Sequence, residues 1–251
     1  MPYFDYQQHR IFYREQGAGP LLVVLPGNTA SSICHQGELA YFSDRYRVVS
    51  LDYVGTGQSG RLKVWPDDWW RQGAHQVNAL LAHLEVDAAL LMGTSGGAII
   101  ALLTAILYPE RVRALIADSC VERFSAEMIQ QNIIEDRSRR TQGQIAFWQH
   151  AQGEDWEAVV EADSDVLRRL GESGGDWLDG RLKEIQCPVL FTASLKDDGL
   201  PDVAAQNCGM AVQVPNSRLF LNNEGGHPLM WSRPQDFRPI SDYFLAAIEQ
   251  T

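Results

Sequence analysis

The segment Gly93-Thr94-Ser95-Gly96-Gly97 is the most informative stretch of this 251-residue chain. It lies between two apolar runs, residues 88–92 and 98–107, which predict a buried strand before it and a helix after it. In so sharp a turn the serine side chain is raised on a strained backbone, and only small neighbours fit beside it. The helix directs free N–H groups and its positive dipole end toward the serine, which suits a developing oxyanion. The pattern therefore predicts a nucleophile at Ser95.

Strand and helix patterns alternate along most of the chain. Apolar runs predict buried strands at residues 21–25, 48–51, 88–92, 114–117 and 189–192, with a shorter candidate at 219–221. Amphipathic stretches predict helices at residues 37–43, 69–84, 98–107 and 201–212. Segments 4–6 and 10–14 predict a hairpin at the sheet edge. This alternation is typical of an α/β fold, with a mainly parallel central sheet and helices on both faces.

The alternation stops between residues 123 and 183, which lack buried-strand runs, carry many charges and have apolar residues at helical spacing. We predict a helical cap insert at residues 123–183, between two parts of one core domain at residues 1–122 and 184–251. The glycine-rich stretch 171–175 predicts a flexible connector inside the insert. The basic cluster Arg137-Ser138-Arg139-Arg140 follows two acidic residues and is interpreted as a solvated helix face.

A serine hydroxyl needs a base to accept its proton and an acid to orient that base. The strongest candidate base is His227, because glycines before it and a proline after it predict a loop that follows the last strand. The acid is expected in the loop after the strand at 189–192, since the carboxyl ends of parallel strands lie at one edge. That loop offers Asp197 or Asp198, and Asp118, after an earlier strand, is a weaker candidate.

The oxyanion site requires a second N–H donor from a loop near the serine. Residues 21–25 lead into Pro26-Gly27-Asn28-Thr29, where Gly27 allows the backbone to turn toward Ser95. We predict that the N–H groups of Asn28 and Gly96 bind the oxyanion. Loss of one such donor costs on the order of 3 kcal/mol in other hydrolases.

Four segments together resemble the α/β-hydrolase superfamily, in particular its branch with a helical cap. Pro26-Gly27-Asn28 stands where the family usually has His-Gly-x, and residues 52–59 are similar to its Asp-x-x-Gly-x-Gly-x-Ser turn, which is structural. Residues 93–97 resemble the family's nucleophile elbow, and the family spacing from Pro188 selects Asp197 over Asp198. The proline at position 26 departs from the family pattern, removes one N–H and stiffens this loop.

The resemblance implies a serine hydrolase that cleaves a small or medium carboxylic ester, or a related acyl bond, through an acyl-enzyme. Ser95, Asp197 and His227 would form its triad, without a cofactor or a metal. A serine at this position argues against the dehalogenase and epoxide-hydrolase branches, which use aspartate. Amide, thioester and carbon–carbon bonds next to a carbonyl stay open, as do perhydrolase and hydroxynitrile-lyase chemistry. A non-catalytic or weakly catalytic small-molecule binding protein on the same fold is the remaining alternative.

Large apolar residues near the predicted site suggest a pocket for the acyl group of the substrate. They are Trp148, Trp156 and Trp177 in the insert, with Met230 and Trp231 beside the candidate base. The same tryptophans could equally pack the cap onto the core, and the sequence does not separate the two roles.

Composition excludes several partner classes. The formal net charge is −11, and no basic stretch offsets it, which argues against nucleic acid and anionic membranes as partners. The longest apolar run, residues 98–107, is too short to cross a bilayer. No export signal is visible and no Cys-x-x-Cys pair occurs, so we expect a cytoplasmic protein with reduced thiols. These thiols are Cys34, Cys120, Cys187 and Cys208. The identity of the acyl substrate and the oligomeric state do not follow from the sequence.

Overall fold

The computed structural model describes residues 2–249, and eight strands within them form a sheet. The strands are β1 Tyr3–Tyr6, β2 His9–Gln16, β3 Leu21–Leu25, β4 Arg47–Leu51, β5 Ala89–Thr94, β6 Val112–Asp118, β7 Val189–Ser194 and β8 Ser217–Asn222. Their order across the sheet is β1-β2-β4-β3-β5-β6-β7-β8. The pairs β1–β2 and β2–β4 are antiparallel, and the remaining pairs are parallel.

The middle of the sheet is buried on both faces. Every residue of β3, β5 and β7 is buried. Parallel strands need such cover, because they are found almost only where helices pack against both faces of a sheet. The β1–β2 hairpin lies at one edge, as the sequence predicts, and β8 lies at the other. The predicted α/β fold with a mainly parallel sheet is confirmed.

The α-helices of the described residues are α1 Gln36–Phe42, α2 Trp69–His83, α3 Gly96–Leu107, α4 Ala126–Met128, α5 Gln142–Gln152, α6 Trp156–Glu172, α7 Val203–Gln213, α8 Leu229–Ser232 and α9 Pro234–Glu249. Successive residues of β3 point to opposite faces, as in any strand. Leu21, Val23 and Leu25 pack in one apolar cluster with residues of α2 and α3. Leu22 and Val24 pack in a second cluster, with residues of α1 and α9.

Helix α9 was not predicted from the sequence, although it packs against the second face of the sheet. Its apolar residues Phe237, Ile240 and Phe244 recur at helical spacing, which was a usable signal. Pro239 lies inside the helix and argued against it, because proline removes one helical hydrogen bond. Burial of Phe237 and Phe244 against the sheet outweighs that loss.

Residues 123–183, called the helical segment below, connect β6 to β7. After α4 the chain continues as a π-helix over Ile129–Asp136 and a 3₁₀ turn over Arg137–Arg139, followed by α5 and α6. The expected connector at residues 171–175 is shorter than predicted, because α6 continues to Glu172. A β-carbon on Gly171 would overlap the Ile129 side chain, so this glycine allows α6 to pack closely against the π-helix.

The fold brings four loops together at the carboxyl edge of the parallel strands. They follow β3, β5, β7 and β8, and they carry the predicted site residues. Ligand sites of open α/β sheets lie at this edge. Across residues 2–249, no helix has both the length and the apolar character that a bilayer-spanning helix requires.

We predict that Phe244→Ala lowers the free energy of unfolding by about 3–5 kcal/mol, because the ring is 1% exposed and its removal leaves a cavity. The neighbouring Tyr243 is 68% exposed, and Tyr243→Ala is the matched control, with a loss below about 1 kcal/mol. Urea unfolding monitored by circular dichroism measures both values. Equal losses in the two variants would contradict the role of α9 in covering the sheet.

Candidate active site

Ser95 lies in a strained turn between β5 and α3. Its φ is +53° and its ψ is −125°, in a region that costs non-glycine residues about 1–3 kcal/mol. The turn is tight because a β-carbon on Gly93 would overlap the backbone of Gly97, and one on Gly97 would overlap the carbonyl oxygen of Leu25. The N–H of Ser95 donates to the carbonyl oxygen of Asp118 at 2.8 Å, which anchors the turn to β6. The small neighbours that the sequence predicts are therefore a steric requirement.

His227 connects Ser95 to a carboxylate. Its Nε2 lies 3.0 Å from Oγ of Ser95, and its Nδ1 lies 2.9 Å from Oδ2 of Asp197. The second carboxylate oxygen of Asp197 accepts the N–H groups of Gly199 at 2.9 Å and Leu200 at 2.8 Å. The Asp197 side chain is 0% exposed, whereas that of His227 is 21% exposed and reaches the cavity described below. These contacts hold the imidazole in one orientation.

The two alternative acids contact other groups. Oδ1 of Asp198 accepts the backbone N–H of His227 at 2.8 Å and so fixes the loop rather than the ring. Asp118 is fully buried, and its carboxylate accepts from Thr192 at 2.7 Å, Thr94 at 3.0 Å and the N–H of Met230 at 3.0 Å. Asp118 therefore joins the ends of β5, β6 and β7 to the start of α8. Burial raises its pKa to about 6, against the lowering effect of these hydrogen bonds.

The pKa of His227 reflects opposing influences. Burial lowers it, because an imidazolium is poorly solvated there, but the hydrogen bond to Asp197 raises it. The negative charges of Asp197, Asp118 and Asp198 also raise it, and the net shift is upward from 6.5. The surrounding carboxylates thus favour a proton on His227.

The loop after β3 lies directly against the turn at Ser95. A β-carbon on Gly27 would come within 2.9 Å of the carbonyl oxygen of Thr94 and 3.1 Å of the Ser95 β-carbon. Asn28 and Gly96 both line the cavity that contains Ser95, and a β-carbon on Gly96 would overlap Oδ1 of Asn28. Asn28 and Gly96, the two residues predicted to bind the oxyanion, are therefore neighbours in space.

A cavity of about 470 Å³ opens above Ser95 and His227. Its apolar wall includes Trp148, Trp177 and Trp231, three of the tryptophans expected there. Met230 and Trp156 differ from the expectation, because neither lines this cavity. Met230 is fully buried in the second apolar cluster. Trp156 stacks on Trp148, with 5.5 Å between the ring centroids.

The helical segment also supplies a polar wall that the sequence reading missed. Its side chains are Gln131, Asn132, Asp136, Arg137 and Gln144. The interpretation of residues 137–140 as a solvated face was wrong for Arg137. Its side chain is 11% exposed and pairs with the fully buried Asp163, with 2.6 Å between Nη1 and Oδ1. Asp163 shares the buried stripe of α6 with Val159 and Val166, and an acid within an apolar stripe was the available signal.

Comparisons with known proteins agree with this architecture. A family model described as the alpha/beta hydrolase fold matches residues 20–143. Haloalkane dehalogenase 2 of Mycobacterium tuberculosis is 31% identical over 117 residues, 45% of this chain and 40% of that protein, so the chain spans well under half of this relative's length. A putative carbamate hydrolase of Caulobacter sp. is 26% identical over 267 residues, 93% of this chain and 95% of that protein. The enol-lactonase structure from Burkholderia xenovorans superposes with a TM-score of 0.77 at 19% identity, covering 98% and 100% of the two chains.

We predict that Asp197→Asn lowers the pKa of His227, because the variant removes a charge and a charge-assisted hydrogen bond while burial of the ring remains. NMR titration of the imidazole measures this pKa without any substrate. Asp198→Asn is the comparison variant, and its effect should be smaller because Asp198 contacts the backbone of His227 and not the ring. An unchanged pKa in Asp197→Asn would contradict the electrostatic coupling of the pair.

Proposed function

Because this chain belongs to the α/β-hydrolase superfamily, we propose that it is a serine hydrolase that cleaves the carboxylic ester of a small or medium acyl group, or a related acyl bond. The observation that carries the proposal is the hydrogen-bonded series Ser95, His227 and Asp197, whose serine and histidine line a cavity. A hydroxyl, a base and an orienting acid in this geometry are the elements of nucleophilic acyl transfer.

The first half of the reaction forms an acyl-enzyme. His227 Nε2 accepts the proton of Ser95 Oγ as the oxygen attacks the carbonyl carbon, and Asp197 stabilises the resulting imidazolium. The carbonyl oxygen becomes an oxyanion, which the N–H groups of Asn28 and Gly96 bind. Collapse of this intermediate breaks the bond to the leaving alcohol, which takes the proton from Nε2. The acyl group is then bound to Ser95.

Water completes the cycle. His227 takes a proton from a water molecule, and the hydroxide adds to the acyl carbon through a second oxyanion at the same donors. The intermediate breaks its bond to Oγ, Ser95 recovers the proton from His227, and the carboxylic acid leaves. The raised pKa of His227 suits both steps, because each transition state carries an imidazolium.

The comparisons favour acyl chemistry over carbon–halogen cleavage. The carbamate hydrolase matches nearly the whole chain, and a carbamate, like an ester, is cleaved at a carbonyl carbon. The dehalogenase matches less than half of this chain. In the family resemblance described above, the dehalogenase branch has aspartate at the position of Ser95. The helical segment lines the cavity opposite the triad, which supports a role as a cap that selects the acyl group. The volume of about 470 Å³ fits a small or medium substrate.

Ser95→Ala tests the nucleophile. A panel of fluorogenic short-chain esters should show a fall in kcat of roughly 10⁴-fold or more, and a fluorophosphonate probe should label the wild type and not the variant. The exposed Ser173 provides the control, since Ser173→Ala should keep both ester turnover and labelling. Equal turnover in Ser95→Ala and the wild type would remove Ser95 from the reaction. An unlabelled wild type would favour the binding-protein alternative.

The pH profile tests the base. Only the neutral imidazole accepts a proton, so kcat/KM should rise with pH through the pKa of His227 and then level off. Since that pKa is raised, the midpoint should lie above pH 6.5. Asp197→Asn should lower kcat by roughly 10⁴-fold, as in other serine triads, and move the midpoint to lower pH. If kcat/KM does not fall toward acid pH anywhere between about pH 5 and about pH 9, that result would argue against His227 as the base.

A further inference from the structure

The loop at residues 27–31, called the oxyanion loop below, is bonded to the helical segment rather than only to the core. Oγ of Ser31 donates to the carbonyl oxygen of Ala151 at 2.6 Å. Nε2 of Gln152 donates to the carbonyl oxygens of Thr29 at 2.7 Å and Ala30 at 3.1 Å. Three successive residues of the oxyanion loop therefore bond to the last two residues of α5, which are more than 100 positions away in the sequence.

Thr29 carries backbone strain at the centre of this loop. Its φ is +59°, a left-handed conformation that is a genuine outlier for a β-branched residue. Such strain is unfavourable and persists only where surrounding contacts enforce it. The carbonyl oxygen of Thr29 is one of the groups that Gln152 holds, and the next residue back is Asn28, whose N–H is a proposed oxyanion donor. The Gln152 contact thus acts on the turn that orients this donor.

Gln152 is itself fixed in place. The residue is 2% exposed, and its Oε1 accepts the N–H of Gly57 at 2.7 Å while its Nε2 serves the oxyanion loop. Its backbone carbonyl accepts from Arg61 at 2.8 Å. A side-chain amide with donor and acceptor both engaged has little freedom to rotate. It can therefore define the position of the loop and not merely follow it.

The side chain of Asn28 has a second anchor in the helical segment. Its Nδ2 donates to Oδ2 of Asp163 at 2.8 Å, and its Oδ1 accepts from Nε1 of Trp70 at 3.2 Å. Asp163 is fully buried, and Arg137 neutralises its other oxygen at 2.6 Å. A buried carboxylate with these partners has a single favourable arrangement. The donor-bearing residue is consequently fixed through its side chain as well as through the backbone that follows it.

We propose that Gln152 and Asp163 are positioning residues for the oxyanion site, and that the helical segment thereby sets the rate of acyl transfer as well as lining the cavity. This inference rests on the proposed function. Gln152 holds the strained turn at Thr29, Asp163 holds the Asn28 side chain, and together they keep the Asn28 N–H directed at the tetrahedral intermediate. Neither residue lines the cavity. Their effect is on the orientation of a donor whose loss is costly in the transition state.

The test compares Gln152→Met with Gln149→Met, an exposed glutamine on the same helix. The readouts are the second-order rate of fluorophosphonate labelling and the kcat and KM for an ester that the wild type cleaves. Gln152→Met should label roughly 10- to 100-fold more slowly, with the same fall in kcat and a change in KM below about threefold. Gln149→Met should match the wild type. Thermal melts confirm that each variant is folded at the assay temperature.

Rescue separates positioning from general packing. Glycine adopts a positive φ without strain, so the turn needs less enforcement when position 29 is glycine. Thr29→Gly added to Gln152→Met should therefore restore several-fold of the lost labelling rate, whereas it cannot refill the space around residue 152. If Gln152→Met fails to fold, Gln152→Glu replaces it, because glutamate keeps the acceptor for Gly57 but cannot donate to Thr29. Asp163→Asn should lower the labelling rate in the same direction.

The outcomes distinguish this inference from the proposed function. A wild type that the probe does not label defeats the serine hydrolase proposal, and the positioning roles fall with it. A labelled wild type with an equally fast Gln152→Met defeats the role of Gln152 alone, and an equally fast Asp163→Asn defeats that of Asp163. A slow Gln152→Met that Thr29→Gly does not restore overturns the link through the strained turn.

Discussion

The backbones of β3, β5 and α3 meet at distances that only glycine permits, and the rest of the site depends on this contact. Gly97 packs against the carbonyl oxygens of Leu25 and Pro26, while Gly27 packs against Thr94 on the other side of the turn. The turn at Ser95 and the oxyanion loop are therefore interlocked. This interlock holds Ser95 in its left-handed conformation and places Asn28 beside Gly96. Distant loops then need only converge on a serine whose position is already fixed.

Three buried carboxylates hold those loops in place through hydrogen bonds. Asp197 orients the His227 ring, Asp118 joins three strand ends to the start of α8, and Asp163 connects the helical segment to Asn28. Each has several hydrogen-bond donors around it, which burial of a charge requires. Buried ion pairs contribute little net stability, so their main effect here is on geometry. The cavity thus has a rigid polar frame beneath an apolar lining.

Short sequence patterns predicted those features that depend mainly on residues close together in the chain. The five buried strands, the shorter strand β8, the edge hairpin and the turn at Ser95 follow from apolar runs and glycine placement. The strand order then brings His227 and Asp197 to that turn. Only the family spacing from Pro188 favoured Asp197 over Asp198. Both aspartates lie in the loop after the same strand, and no other sequence pattern distinguishes them. The pairing of Arg137 with Asp163 was not predicted, because a run of charged residues is typical of a solvated surface and the pattern does not identify a buried partner. The contacts of Gln152 with Thr29 and Ala30 join residues more than 120 positions apart, which periodicity does not detect.

His227 lies in the loop after β8, the strand at one edge of the sheet. Its hydrogen bond to Ser95 spans 132 residues, because β6, the helical segment, β7 and β8 lie between the two residues along the chain. Contacts of such long range form late, because the entropy of closing the intervening loop must be overcome before they are made. A nascent polypeptide that has completed the turn at Ser95 therefore has a serine hydroxyl without its histidine partner. The hydrogen bond between Ser95 and His227 can form only once residue 227 has left the ribosome.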